Sequence, residues 1–133
     1  MKSKTTLELS DVTRILDAAR TEAEAHHFPV TIAVTDDGGH LLGMCRMDNC
    51  APVAVDIAIG KARTAAIGRR ESRVYEEMVN NGRTAFVTAP GVTALEGGIP
   101  VTVDGQVIGA VGVSGMKPAE DSQIAKVGAQ AIA

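Results

Sequence analysis

Two stretches of this chain carry apolar side chains on both strand parities, and nothing else in the sequence narrows the fold as far. Val30-Thr31-Ile32-Ala33-Val34-Thr35 is a β-branched run, Asp36-Asp37-Gly38-Gly39 is a turn cluster, and His40-Leu41-Leu42-Gly43-Met44-Cys45-Arg46-Met47 reads as the returning strand. Successive strand residues point to opposite faces, so a sheet wet on one side shows apolar and polar residues in turn. These runs do not alternate. They predict a hairpin in a sheet covered on both faces.

The covering helices are legible on either side. Ser10 is a suitable N-cap, Asp11 follows it, and Val12, Ile15, Leu16, Ala19 and Ala23 recur at helical spacing to about His26, before Pro29. Pro52 suits the first position of a second helix running to about Ile67. Val53, Ala54, Val55, Ile57, Ala58, Ile59, Ala62, Ala65, Ala66 and Ile67 leave it almost no polar side, which predicts burial in the fold or in a subunit interface. Ser72 to Asn80 reads as a shorter helix stopped by Asn81-Gly82. Arg83 to Gly98 is a loop of small residues with a short strand expected near Val92 to Leu95.

Ile99 to Val103, Asp104-Gly105, and Gln106 to Ser114 form the clearest hairpin, because Asp-Gly favours the tight turn that matches strand twist. Gly109 and Gly112 fall on opposite faces of its second strand, where packed elements can approach closely. Pro118 opens a last helix, with Glu120 and Asp121 in its first turn and Ile124, Val127, Gly128 and Ile132 on its packing side. The order α-β-β-α-α-(β)-β-β-α places the chain in the α+β class. With 133 residues and no repeat or linker, it is expected to be one domain over residues 1–133.

Thirteen basic and 16 acidic residues give a net charge of −3, which argues against nucleic acid as a partner. Phe28, Tyr75 and Phe86 are all the aromatics, so base-stacking platforms are excluded as well. No apolar run approaches the roughly 20 residues of a membrane helix. The first residues, Met1 to Thr6, lead into no apolar segment, and the chain is expected to be cytoplasmic. If the segment holding Cys45 and Cys50 is extended, their Cα atoms stand about 16 Å apart, beyond the roughly 7 Å of a disulfide, and reduced thiols are expected. Zinc-hydrolase, nucleophile-elbow, phosphate-loop and dinucleotide motifs are absent, and no metal ligand set is expected.

Four softer constellations remain. His40 and Arg46 are six residues apart and so share a strand face, although about 20 Å separates them. His40 can cap its turn and Arg46 can pair with Asp48. Lys61 stands in the most apolar helix with Ile57, Ala58, Thr64 and Ala65 as its helical neighbours, none of them a counter-charge. It either snorkels out, pairs with a distant carboxylate, or holds a ligand's acid group. Glu96-Gly97-Gly98 combines a titratable group with a backbone that can approach a ligand closely. Ser114 to Pro118 leads into a helix N-terminus that could take an anion, but Glu120 and Asp121 already complement that dipole.

Thr35 to Leu41, Cys45-Arg46-Met47-Asp48, Asp56 to Ala65, Leu95 to Val101, Asp104-Gly105 and Gly109 to Gly115 together resemble the GlcG/HbpS family, over about Leu7 to Ile132. The chain also resembles the C-terminal domain of PduO-type proteins. The resemblance implies a profilin-like fold, an antiparallel sheet of about five strands flanked by helices, assembled into homo-oligomers. It further implies a small-molecule ligand: haem in some relatives, with roles in redox sensing and haem handling, and no assigned reaction in others that accompany small-metabolite catabolism. An export signal like that of the secreted HbpS type is not expected for this chain. For haem as cofactor, His27 and His40 are the axial candidates. The alternative is an isomerase-like enzyme of a small oxo- or hydroxy-acid, with Lys61 or Arg46 on the carboxylate, Glu96 or His40 moving the proton, and Gly97 and Gly98 beside the ligand.

Overall fold

A computed structural model describes residues 1–132; Ala133, the last residue of the expected domain, lies outside the described residues. The chain runs α1 (Leu9–Ala25), β1 (Thr31–Asp36), β2 (Leu41–Arg46), α2 (Val53–Gly68), α3 (Arg73–Asn80), a short 3-10 helix (Thr84–Thr88), β3 (Gly98–Val103), β4 (Gln106–Ser114) and α4 (Pro118–Gln130). The class is α+β, and the four strands form one sheet in the order β2-β1-β4-β3 with antiparallel neighbours throughout.

The sheet has four strands rather than about five. No strand forms near Val92 to Leu95, because side chains from two helices take up the backbone there. The N–H of Thr93 donates to Thr64 Oγ1 (2.7 Å), Ser72 Oγ donates to the Leu95 carbonyl (2.6 Å), and the N–H of Glu96 donates to Glu76 Oε1 (3.2 Å). Little is left for a ladder to use. Helix α1 also starts earlier than its serine suggested. Asp11 accepts the N–H of Glu8 (2.8 Å), which makes Glu8 the cap in place of Ser10.

β1, one of the two inner strands, is buried from Thr31 to Thr35, and its two parities serve two cores. Ile32 and Val34 join Val12, Ile15 and Ala19 of α1 and Ile124 of α4 on one face. Ala33 meets Ala58 and Ala62 of α2 on the other. That second core is thin, since its side chains are nearly all methyl groups. A Cβ on Gly112 would run into the Ala58 carbonyl, so the bare glycine lets α2 lie close on β4. On the opposite face, a Cβ on Gly109 would meet Leu7 Cδ1 at 2.6 Å.

Cover within the single chain is incomplete in two places. β2 is an edge strand bonded to β1 alone, with Leu41 and Leu42 exposed and Gly43 to Cys45 half-buried. α2 buries one face against the sheet, while Val53 (69% exposed) and Ile67 (39%) remain in water. The second hairpin forms as expected: Asp104 and Gly105 both have positive φ (49° and 77°), the primed turn that suits strand twist.

Candidate functional site

Helix α1 ends in a tight left-handed turn. The N–H of His27 donates to the Glu24 carbonyl (3.1 Å), and the N–H of Phe28 reaches back to Ala23 (2.9 Å). This bond pair closes many helices, but the pivot residue is usually glycine. Here it is His27, with φ 56°. A Cβ in that region costs on the order of 1 kcal/mol. The turn leaves the imidazole exposed and sends Phe28 onto the core.

Opposite this turn lies the far end of β2. The N–H of Met47 extends the ladder to the Val30 carbonyl (3.0 Å), Cys50 folds back to Met47 (3.2 Å), and Cys50 Sγ lies 3.2 Å from Thr31 Oγ1. Asn49 makes this bend with φ 68°. Between the two turns opens a cleft of about 650 Å³, within the usual range for small-ligand sites. The end of α1 lines it with Arg20, Glu24 and His27, followed by Phe28 and Pro29. Cys45, Arg46, Met47, Asp48 and Asn49 form the facing wall. Among the described residues, two of the four non-glycine residues with positive φ therefore line one cleft. Phe28 also borders a smaller hollow of about 310 Å³ with His26 and Ile124.

The three histidines are held differently. His26 Nε2 lies 3.1 Å from Glu22, and His40 Nδ1 lies 3.2 Å from both carboxylate oxygens of Asp36. Among the described residues, none pairs with the ring of His27. His40 stands at the opposite end of β2, in the hairpin turn, with its side chain 82% exposed. Burial pushes Asp36 up, but the N–H groups of His40 and Gly38, with the imidazole beside them, hold its carboxyl below the usual value. A bulge opposite Val34 and Thr35 also breaks the two-residue repeat that put His40 and Arg46 on one face. Arg46 reaches the Cys50 carbonyl (3.3 Å) rather than Asp48.

Lys61, Glu96, Gly97 and Gly98 meet elsewhere, in a packed junction. The Lys61 ammonium donates to the Val113 carbonyl (2.9 Å) and to Asp121 Oδ2 (3.1 Å), with the two side chains 5% and 2% exposed. Asp121 Oδ1 accepts the N–H of Met116 (3.0 Å). Burial pushes the Asp121 carboxyl above its usual value, against the pull of Lys61 and the Met116 N–H. A Cβ on Gly97 would stand 2.8 Å from Lys61 Nζ, and one on Gly98 would strike the Lys61 carbonyl. The diglycine thus makes room for the lysine. Glu96 accepts from Ser122 Oγ (3.2 Å) at the rim of this junction. Asp121 is the residue that sequence reasoning missed in this role. Its position in the first turn of α4 gave it another explanation, and Lys61 lies 60 residues away.

Both cysteines are free. Among the described residues, no group of three or more His, Cys, Asp or Glu could hold a metal ion, and no helix is long and apolar enough to cross a membrane.

A family model described as haem degrading protein HbpS-like matches residues 7–130. Protein GlcG of Escherichia coli strain K12 is 62% identical over 114 residues, which cover 86% of this chain and 85% of GlcG. The crystal structure of a double mutant of Streptomyces reticuli HbpS has a TM-score of 0.89 at 30% identity, covering 100% of this chain and 91% of its own. That of a PduOC:haem complex has a TM-score of 0.86 at 25% identity, covering 96% and 95%.

Proposed function

This chain belongs to the HbpS-like family, and from that premise we propose that it is a small-ligand-binding protein whose cleft beside His27 takes haem or a related tetrapyrrole. The observation that carries the reading is the exposed imidazole at the left-handed end of α1. It is free of any carboxylate partner among the described residues and opens into a cleft of about 650 Å³.

The donor set fits the group. A haem site needs an axial ligand and an apolar slot. His27 supplies a nitrogen donor; Phe28, Pro29 and Met47 supply apolar surface; Arg20 and Arg46 supply cations for acidic side groups. When bound, haem brings an iron centre whose behaviour is set by its axial ligand and by the polarity around it. The chain's own part is to fix the imidazole. The backbone bonds of the turn hold His27 at its Cα, and the side chain needs only its rotamer to present the ring. His40, tied to Asp36 at the other end of β2, is the second axial candidate.

The acid-processing alternative asked Lys61 for a ligand carboxylate. Its ammonium already has the Asp121 carboxylate and the Val113 carbonyl, so we assign Lys61, Gly97 and Gly98 to the scaffold, with Glu96 at its edge.

Titrating the purified protein with hemin tests the reading. A saturable Soret band is expected, shifted or weakened in His27→Ala and unchanged in His40→Ala. A featureless titration in wild-type protein would overturn it. A band that is lost in His40→Ala and kept in His27→Ala would move the site to the hairpin turn.

A further inference from the structure

The cleft holds two guanidinium groups that the fold does not use up. Arg46, the last residue of β2, makes one hydrogen bond, to the Cys50 carbonyl at 3.3 Å, and has no ion pair among the described residues. Arg20 is loosely held, 3.5 Å from Asp17 and 3.8 Å from Glu24, with half of its side chain exposed. A guanidinium is a planar fork of donors that matches a carboxylate in two bonds, and it sheds water more readily than an ammonium. Phe28, Pro29 and Met47 line the same space as these forks and the imidazole of His27. An occupant complementary to all of them has an apolar body and acid groups at its rim.

Glu24 and Asp48 also line the cleft, and they repel acid groups. Glu24 is partly answered by Arg20, so Arg46 is the cation with most to offer a ligand.

We infer that Arg46, assisted by Arg20, is the specificity-determining contact of the cleft and selects tetrapyrroles by their side-chain carboxylates rather than by their metal. The inference rests on the reading of the cleft as a tetrapyrrole site, and goes beyond it by naming which chemical feature is recognised. A metal-free porphyrin with free carboxylates is then a ligand, and a metal-loaded porphyrin diester is a poor one. His27 acts on the metal, and the arginines act on the acid groups.

Three probes separate these roles: hemin, hemin dimethyl ester and metal-free protoporphyrin IX, titrated in the same dilute detergent and followed by absorbance or porphyrin fluorescence. Wild-type protein is expected to bind both free acids about tenfold or more tighter than the diester, the size of a charge-assisted hydrogen-bonded contact. Arg46→Gln should weaken the free acids by a similar factor and leave the diester unchanged. Arg20→Gln should do the same by about two- to fivefold, because its guanidinium is shared with Asp17 and Glu24. His27→Ala should change the hemin spectrum while keeping the preference for acid over ester. Equal binding of hemin and its diester by wild-type protein, or a preference that survives Arg46→Gln, overturns the inference while the haem site stands. Failure of all three probes to bind overturns both.

Discussion

Two cations of this molecule occupy opposite circumstances. Lys61 lies almost out of water, and protein answers it fully: a carboxylate at 3.1 Å, a carbonyl at 2.9 Å, and a glycine where any side chain would collide. Arg46 stands at the surface with one 3.3 Å bond, on the wall of a cleft whose facing wall carries a histidine of positive φ. A buried charge left unanswered costs so much that a stable fold must answer it. An exposed charge carries no such obligation and is free to wait for a ligand. Burial of an ionisable group therefore points to scaffold here, and incomplete pairing beside local strain points to a site.

The comparison breaks most visibly at the lysine. Lys61→Met strands the Asp121 carboxylate in the core, and removing one partner of a buried pair costs about 3–5 kcal/mol. Urea unfolding should report that loss as a lower midpoint at constant slope. Lys61→Met with Asp121→Asn should recover most of it, because asparagine still accepts the Met116 N–H and carries no charge. Arg46→Gln should change the unfolding free energy by no more than about 0.5 kcal/mol. If the lysine and arginine variants unfold alike, the two regions are not different in kind.

The same division explains what could be read in the sequence. The Asp104-Gly105 hairpin was legible because turn chemistry is local: two adjacent residues that tolerate positive φ determine it. Sheet cover on both faces of β1 was legible because a two-residue period records both sides of a strand at once. Lys61 was legible as an anomaly in an apolar helix, but its answer in Asp121 is set by how α4 docks, and no local pattern records that. The bulge in β2 and the missing strand near Val92 escaped as well. The strand was lost to a partner remote in sequence, Thr64 for Thr93, and the bulge is a one-residue slip between Val34–Gly43 and Thr35–Leu41 that side-chain patterning does not record. The cleft joins residues 20–29 to residues 45–49, and only pairing of the two strands brings them together.

A smaller effect is expected where the strain sits. His27→Gly relaxes a left-handed pivot, and a glycine suited to its backbone should raise stability by about 0.5–1 kcal/mol. The same change removes the imidazole, so hemin should lose its axial signature as the fold gains stability. Opposite signs in one variant are the mark of a residue kept for a ligand at the expense of the fold. A His27→Gly protein that is less stable than wild type, or that binds hemin with an unchanged spectrum, would separate the strain from the site.

The smallest effect is a contrast in pH dependence between two carboxylates. Asp121 is pushed above the 3.8 of a free aspartate by burial, although Lys61 opposes it, so the folded chain binds its proton more tightly than the unfolded chain. Its contribution is complete below about pH 3.8 and is lost as the pH rises through the raised value. Asp36 is held below 3.8: burial lifts it, but the backbone N–H groups of His40 and Gly38 and the neighbouring imidazole outweigh that lift. Its contribution is present above about pH 3.8 and is lost as the pH falls through the lowered value. Unfolding midpoints measured across this range should therefore change in slope with opposite sign for Asp121→Asn and Asp36→Asn. In the first, the fall in stability with rising pH just above 3.8 should disappear. In the second, the fall on acidification below 3.8 should flatten. The surface carboxylate is stabilised in its charged form by donors that water could replace, and the core carboxylate is pushed toward its neutral form despite a cation within hydrogen-bonding distance. Slopes of the same sign in both variants would mean that burial is not what distinguishes the two regions.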